Sequence, residues 1–276
     1  MKIQATTIDS IHHPLLPQAA EDMLVHSVLV WGKWERIQIQ YHTDVITTKS
    51  DINFPLFNNV LSPRLSSNLT LERIQKINGE ISDQRHSVCW WLGARSAPSN
   101  LEDLLSDSGA FKVMETTMMS VDIAQLPKAT LPDSVIIQEV ETLEQLRAWT
   151  SIVCEAHSLP DEVSQHWTEM YAAAGYGAND LSTRHFLAID NGIPIGATTL
   201  IMASGIASVS NVSTLSAHRK QGVGSALTIF PLKVAESLGY KVASLSASPD
   251  GETVYQNMGF TPTEKCQAYF WSPDVI

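Results

Sequence analysis

The stretch whose reading decides the fold runs IASVSNVST at 206–214, LSAHRKQG at 215–222 and VGSALTIFPLKVAESL at 223–238. The first part reads as a strand from Ile206 to Thr214, the last as a helix from about Gly224 to Leu238. Between them lies Arg219-Lys220-Gln221-Gly222-Val223-Gly224-Ser225-Ala226. Glycine at such a junction lets the backbone turn tightly and approach a bound group with no Cβ in the way. The first N–H groups of a helix lack intrahelical acceptors, and the helix dipole favours anions there. Strand, glycine turn and helix together predict a cradle for phosphate or pyrophosphate. Spacing removes two versions of that cradle. A nucleotide loop requires Gly-Lys-Ser/Thr after a four-residue gap, and this chain has no such run. A dinucleotide fingerprint requires a third glycine three residues after Gly224, where Leu227 stands.

What remains is Arg-x-x-Gly-x-Gly, and further along stands Tyr255-Gln256-Asn257-Met258-Gly259-Phe260. On these two motifs the chain resembles the GNAT (GCN5-related) N-acetyltransferases, whose signatures are Arg/Gln-x-x-Gly-x-Gly/Ala and Tyr-x-x-x-Gly-Phe in this order. The resemblance implies an acetyl-CoA-dependent N-acetyltransferase. It also implies an α/β fold with a mixed, largely antiparallel sheet flanked by helices.

The surrounding patterns follow the same order. Ala124 to Ser134 (AQLPKATLPDS) has two prolines and no periodicity and reads as a linker. A strand at Val135–Glu139 is followed by helices at Leu143–Ala156 and Asp161–Ala174. His185–Asp190 and Ile193–Met202 form a hairpin about Asn191-Gly192, a pair suited to a two-residue primed turn. Ser204-Gly205 turns the chain into the strand before the cradle. Lys241–Ala247 is a strand, Glu252–Met258 a short helix and Thr263–Trp271 a strand. Residues 1–127 are harder to read. A strand over Asn53–Leu61, a helix over Leu71–Arg85, a strand over Ser87–Leu92, a helix over Leu101–Ser108 and a strand over Glu115–Asp122 are expected. The last four echo the closing elements of the second half, and Gly109-Ala110-Phe111 sits where Gly259-Phe260 sits later. The expectation is a tandem chain: a degenerate GNAT-like domain at 1–127 and a catalytic domain at 128–276.

The resemblance also assigns residues. Backbone groups of Val212, Ser213 and Thr214 would run beside pantetheine, with Leu215 closing the strand. Backbone N–H groups from Gln221 through Gly222, Val223, Gly224 and Ser225 to Ala226 would hold the pyrophosphate. Arg219 and Lys220 are electrostatic neighbours of the phosphates or solvated charges. The Ser225 hydroxyl is a further donor or a local cap. Tyr255 is the candidate acid: a phenol with an ordinary pKa near 10 can protonate a departing thiolate at neutral pH. Its alternative is a tyrosine packed on the sheet. Many family members carry Asn seven residues before that tyrosine; here Ser248 stands there, shorter but still able to donate or accept.

No general base stands out. Ile206–Thr214 holds no acid, while Glu155, His157, Asp161 and Glu162 lie where the resembled fold places its acceptor region. His218 adjoins the cradle, facing solvent or phosphate. Of Trp90-Trp91, on opposite faces of a strand, one is expected in the core. Asn58-Asn59 in an apolar strand needs hydrogen-bond partners, from a bulge, another domain or a substrate.

The net charge of -11 argues against a general nucleic-acid binder. The acidity concentrates in residues 132–276, with 7 Lys/Arg against 15 Asp/Glu, and suits a cationic amine as well as plain solubility. Hydrophobic content of 44% with 17% charged residues is that of a globular chain. No apolar run is long enough to span a bilayer, and residues 1–20 lack a secretory pattern. Three scattered cysteines without metal-ligand spacing read as buried thiols in a reducing compartment, so a cytoplasmic protein is expected. No metal is expected. The acceptor implied by the resemblance is an amine-bearing small molecule or peptide, and a monomer or homodimer is expected. A non-catalytic acyl-CoA-binding sensor or scaffold, or a transferase of longer acyl or aminoacyl groups, is the alternative reading.

Overall fold

The computed structural model describes residues 7–66, 70–83, 85–177 and 182–275. In chain order the elements are α1 (Leu16–Leu29), β1 (Ile37–Tyr41), β2 (Ile46–Ser50), β3 (Asn59–Leu61), α2 (Thr70–Ser82), β4 (Val88–Leu92), α3 (Leu101–Asp107), β5 (Phe111–Asp122), β6 (Val135–Glu139), α4 (Leu143–Ala156), α5 (Asp161–Ala174), β7 (Thr183–Asp190), β8 (Ile193–Ala203), β9 (Ile206–Thr214), α6 (Val223–Ser237), β10 (Val242–Ala247), α7 (Pro249–Asn257) and β11 (Thr261–Trp271). The fold is mixed α/β, with mostly antiparallel strands flanked by helices.

Contacts divide the chain into two compact units, neither continuous in sequence. The first holds residues up to 27 and 118–263; the second holds 28–117 and the residues from 264 onward. A cut at 127/128 therefore does not coincide with this division, which falls inside β5 and β11.

In the first unit the strands lie in the order β5-β10-β9-β8-β7-β6. Local chemistry sets its turns. Asn191 and Gly192 have φ of 47° and 85°, and Ser204 and Gly205 have 51° and 81°, so both hairpins use the left-handed pairs that match strand twist. Thr142 caps α4 by accepting from Gln145 N, and the Gln145 side chain returns a bond to the cap backbone. Helix α6 buries Ile229, Leu232 and Ala235 against Met119, Val121, Leu200, Ala207, Val209, Ala243 and Leu245 of the sheet. That apolar layer fixes the helix start relative to the end of β9. Residues 7–27 join the same unit, with Ile8 N bonded to Gly205 O and Ile11 N to Asp122 Oδ1.

In the second unit the order is β1-β2-β3-β4-β11. Residues Gln267–Trp271 of β11 pair antiparallel with Val88–Leu92. Helix α2 packs Ile74, Ile77 and Ile81 against Val60, Val88, Trp90 and Leu92. The expected strand over Asn53–Leu61 is shorter, because Pro55 opens a 3-10 turn to Phe57 and pairing begins only at Asn59. The helix expected over Leu71–Arg85 ends at Ser82, and residue 84 lies outside the described residues. Helix α1 and strands β1 and β2 were not expected from the sequence. Trp90 is buried and Trp91 half-buried, as facing opposite sides requires. The buried amides are occupied internally: Asn58 Nδ2 donates to Ile52 O, Asn59 Nδ2 to Thr48 Oγ1, and Trp91 Nε1 to Asn59 Oδ1. They are structural groups of this unit, not substrate ligands.

Candidate functional site

Helix α6 starts where the Gly-rich run predicted, one residue earlier. Its cap is Gly222, in the left-handed region at φ 83°, and no side chain caps the helix. A Cβ at Gly222 would lie 2.5 Å from the carbonyl oxygen of Thr130, so only glycine fits for both backbone and space. The linker thus runs against the cradle. Val223, Gly224 and Ser225 occupy the first turn, where N–H groups have no acceptor one turn back. Ala226 N is already committed to Gly222 O, which removes it from the expected cradle donors. No acidic residue stands in the first turn to compete with an anion.

Arg219 is exposed and also tethers the loop. Its Nε donates to Thr214 O at 3.1 Å, tying the end of β9 to the loop. Lys220, at φ 61°, and Gln221 are exposed on that loop. Leu215 follows the end of β9, and its N bonds to Ile195 O. His218 Nδ1 lies 3.9 Å from Asp190 Oδ2.

Strand β9 is irregular where it matters. Opposite β8 its register breaks between Ala197 and Thr199, and Asn211 sits at φ 54°, the mark of a bulge. Opposite β10 the parallel ladder covers Ala207–Ser208 against Ala243–Ser244, and among the described residues it goes no further. Beyond it the two strands part, and among the described residues the β9 edge from Val209 to Thr214 has no ladder partner on that side. Val212 packs towards α6, Thr214 Oγ1 lies 3.7 Å from where a Gly224 Cβ would be, and Ser213 is buried on the opposite face.

Tyr255 on α7 is half-buried, its ring packed edge-on to Phe260 at 5.8 Å. A Cβ at Gly251 would lie 3.1 Å from the ring. Burial pushes the phenol up, and a hydrogen bond with Thr228 pulls the other way. Thr228 itself donates to Gly224 O at 3.0 Å, so the phenol stands against the first turns of the cradle helix. Ser248 caps α7, accepting from Gly251 N at 3.2 Å, which uses one acceptor position of the hydroxyl that stands in place of the family asparagine and leaves its O–H free to donate. Thr228, Thr130, Gly251 and Gly196 escaped the sequence reading. Gly196 had a signal, a glycine inside a strand pattern: a Cβ there would lie 2.7 Å from Leu227 Cδ1, so its absence lets α6 close on β8.

The candidate bases lie on and between α4 and α5. Glu155 and Asp161 line a surface groove of about 650 Å³ between α4 and α5, and His157 is exposed at the end of α4. Glu162 is exposed on α5, its carboxylate 4.0 Å from His166. The three cysteines are buried and free. Burial pushes the Cys154 thiol up to about 11 and Cys89 well above its usual range, so neither offers a thiolate at neutral pH. Among the described residues no group of His, Cys, Asp or Glu could hold a metal ion, and no helix is long and apolar enough to cross a membrane.

A helix start capped by Gly222, a parallel strand pair whose ladder ends at Ser208 and Ser244, and the Tyr255 phenol against the same helix make up this constellation. Residues 152–272 match the family model of the acetyltransferase (GNAT) domain, and this part of the chain is a GNAT domain. Solved structures share the fold across nearly the whole chain. A GCN5-related N-acetyltransferase from Kribbella flavida is 17% identical with a TM-score of 0.69, covering 90% of this chain and 94% of that one. A GCN5-related N-acetyltransferase from Sphaerobacter thermophilus is also 17% identical, with a TM-score of 0.61 over 85% of this chain and 82% of that one. A tandem GNAT protein from the clavulanic acid biosynthesis pathway is 11% identical, with a TM-score of 0.59 over 93% and 94%. At these identities the likeness is one of fold. No curated relative matches the chain.

Proposed function

We propose that the chain is an acetyl-CoA-dependent N-acetyltransferase that acetylates a primary amine by direct attack in a ternary complex. The single observation carrying this reading is that Gly222, the fork of β9 and β10, and Tyr255 converge on the start of α6. The amides of Val223, Gly224 and Ser225 take the diphosphate, with Lys220 adding charge from the loop. The open edge of β9 offers Val212 and Ser213 backbone groups to the pantetheine arm. Tyr255 holds its proton at neutral pH, because burial raises the phenol, and releases it to the thiolate as the C–S bond breaks and the C–N bond forms. The amine proton passes to solvent. Cys89 and Cys154 are buried and held protonated by that burial, so neither supplies a nucleophile for an acyl-enzyme. The second unit repeats the helix–strand–helix–strand order without a Gly-x-Gly loop, and we read it as a degenerate copy.

Calorimetric titration with CoA tests the reading. Saturable binding is expected, weakened at least tenfold by Lys220→Glu and Gly222→Asp. Absence of binding to the folded native protein would overturn it. Binding with no thiol release across an amine panel would move the assignment to a CoA-binding module.

A further inference from the structure

The residues that α6 buries are apolar with one exception, Thr228, which is 0% exposed. A β-branched residue is stiff in a helix, and a buried hydroxyl costs stability unless it is bonded. Thr228 Oγ1 donates to Gly224 O at 3.0 Å, the back-bond that threonine commonly makes to the carbonyl one turn earlier. Its second contact comes from another helix: the same hydroxyl is hydrogen-bonded to the Tyr255 phenol of α7. The ring is packed at Phe260 and at Gly251 while its oxygen meets α6.

Counting donors gives the direction of that bond. Threonine has one O–H, and Gly224 O takes it, so the phenol donates and Thr228 Oγ1 accepts. Gly224 O also receives the N–H of residue 228 through the helix ladder, so it stays satisfied when the hydroxyl turns away. Rotation about the Cβ–Oγ1 bond aims the threonine O–H at the phenol oxygen, an arrangement that favours the phenolate. The charged groups of α6 and α7, Lys233, Glu236, Asp250 and Glu252, are not among those that shift the phenol; burial and Thr228 are.

We infer that Thr228 is a positioning residue for the acid: it holds the Tyr255 oxygen at the first turns of α6 and turns its own O–H onto that oxygen as the proton leaves. The inference rests on the acetyltransferase reading above. In the step, the amine nitrogen bonds to the acetyl carbon and the C–S bond breaks. The departing sulfur takes the Tyr255 proton, and the nitrogen gives one to solvent, which restores the phenol. Thr228 keeps its proton throughout and changes only its acceptor, from Gly224 O to the phenolate. A hydrogen bond to a charged group is stronger than one to a neutral group, so the help is greatest where charge has developed.

The test uses the full chain in three variants. Thr228→Val keeps the volume and deletes the hydroxyl, Thr228→Ala deletes it with a smaller side chain, and Thr228→Ser retains it. Turnover is measured with acetyl-CoA and whichever of glucosamine, spermidine, lysine and phenethylamine the native protein acetylates fastest. Both hydroxyl-free variants should lower kcat at least about fivefold, with KM for the amine and CoA affinity within about twofold. Thr228→Ser should restore kcat to within about twofold of native, and Thr228→Val should add no loss in the Tyr255→Phe background. A second readout needs no turnover: fluorine NMR of fluorotyrosine-labelled protein, with Tyr255→Phe assigning the signal. There Thr228→Val should move the titration of residue 255 upward by at least about half a pH unit, and Thr228→Ser should leave it in place. A titration that Thr228→Val leaves unmoved, a loss that serine does not restore, or a loss that persists beside Tyr255→Phe overturns the inference. A native protein that binds no CoA strikes the acetyltransferase reading and the role with it, whereas an unmoved titration in a protein that binds CoA strikes Thr228 alone.

Discussion

Gly222 and Gly224 look equivalent in the sequence, yet they meet different surroundings. At Gly222 both the positive φ and the Thr130 carbonyl exclude a side chain, whereas a Cβ at Gly224 meets only Thr214 Oγ1 at ordinary contact distance. Gly222→Ala should therefore cost about 1–3 kcal/mol of stability. Gly224→Ala should leave stability within about 1 kcal/mol of native. Chemical denaturation of both variants checks the contrast, and equal losses would contradict it. Tyr255→Phe removes a proton donor while keeping the ring on Phe260. Turnover should fall at least tenfold with CoA affinity within twofold, since general acids contribute on that scale or more. The acid role needs the phenol protonated. Native activity should persist through neutral pH and decline only above the ordinary phenol range, because burial raises the folded pKa. The phenylalanine variant should lack that alkaline decline in a pH–rate profile.

At the scale of elements, caps and ion pairs carry measurable parts of the stability. Thr142→Ala deletes half of the capping box of α4 and should cost about 1 kcal/mol, read from the melting temperature. In the second unit Arg73 holds Asp44 through two bonds of 2.8 and 2.9 Å, which lowers the Asp44 pKa. A carboxylate with a depressed folded pKa contributes stability above its unfolded value, near 4, that is lost as pH falls through the folded value. Both groups are partly exposed, so the contribution should be about 1 kcal/mol or less. Arg73→Met should flatten that part of the acid limb of the stability curve, and an unchanged limb would remove the pair from the account. Elements with strong local signals were legible: the Asn191-Gly192 hairpin, the linker, and α4 and α5 to the residue. Strands β1 and β2 were missed because IQIQY and ITTKS are short and polar, and they are held by pairing, β1 on β2 and β2 also on β3. Helix α1 was missed because Pro14 and Pro17 frame its start and its apolar residues keep no clean stripe.

For the molecule as a whole, the two compact units are discontinuous in sequence. A linker of the right composition at 124–134 invites a division there, yet residues 118–122 belong with β10 and residues 264–271 with β4. Composition reports where the chain is irregular; pairing partners far apart in sequence leave no local trace. The same limit explains the site. The Arg219–Ala226 run and the motif around Tyr255 are local in sequence, whereas Thr228 behind the phenol and Thr130 behind Gly222 arrive only through tertiary packing. A fragment spanning 128–276 retains every cradle residue but lacks the strand beside β10 and residues 7–27. It should show no cooperative thermal transition, while the full chain does; a sharp melt of the fragment would contradict the division.

The placement of residues 264–271 beside β4 also bears on synthesis. The ribosome makes residues 28–117 early, but the strand that covers β4 is translated only after about 150 intervening residues. At ordinary elongation speeds of about 5–20 residues per second, that edge stands uncovered for on the order of ten seconds. During that interval Trp90 and its neighbours offer an open edge to any nascent chain nearby, and this is when chaperone capture matters most.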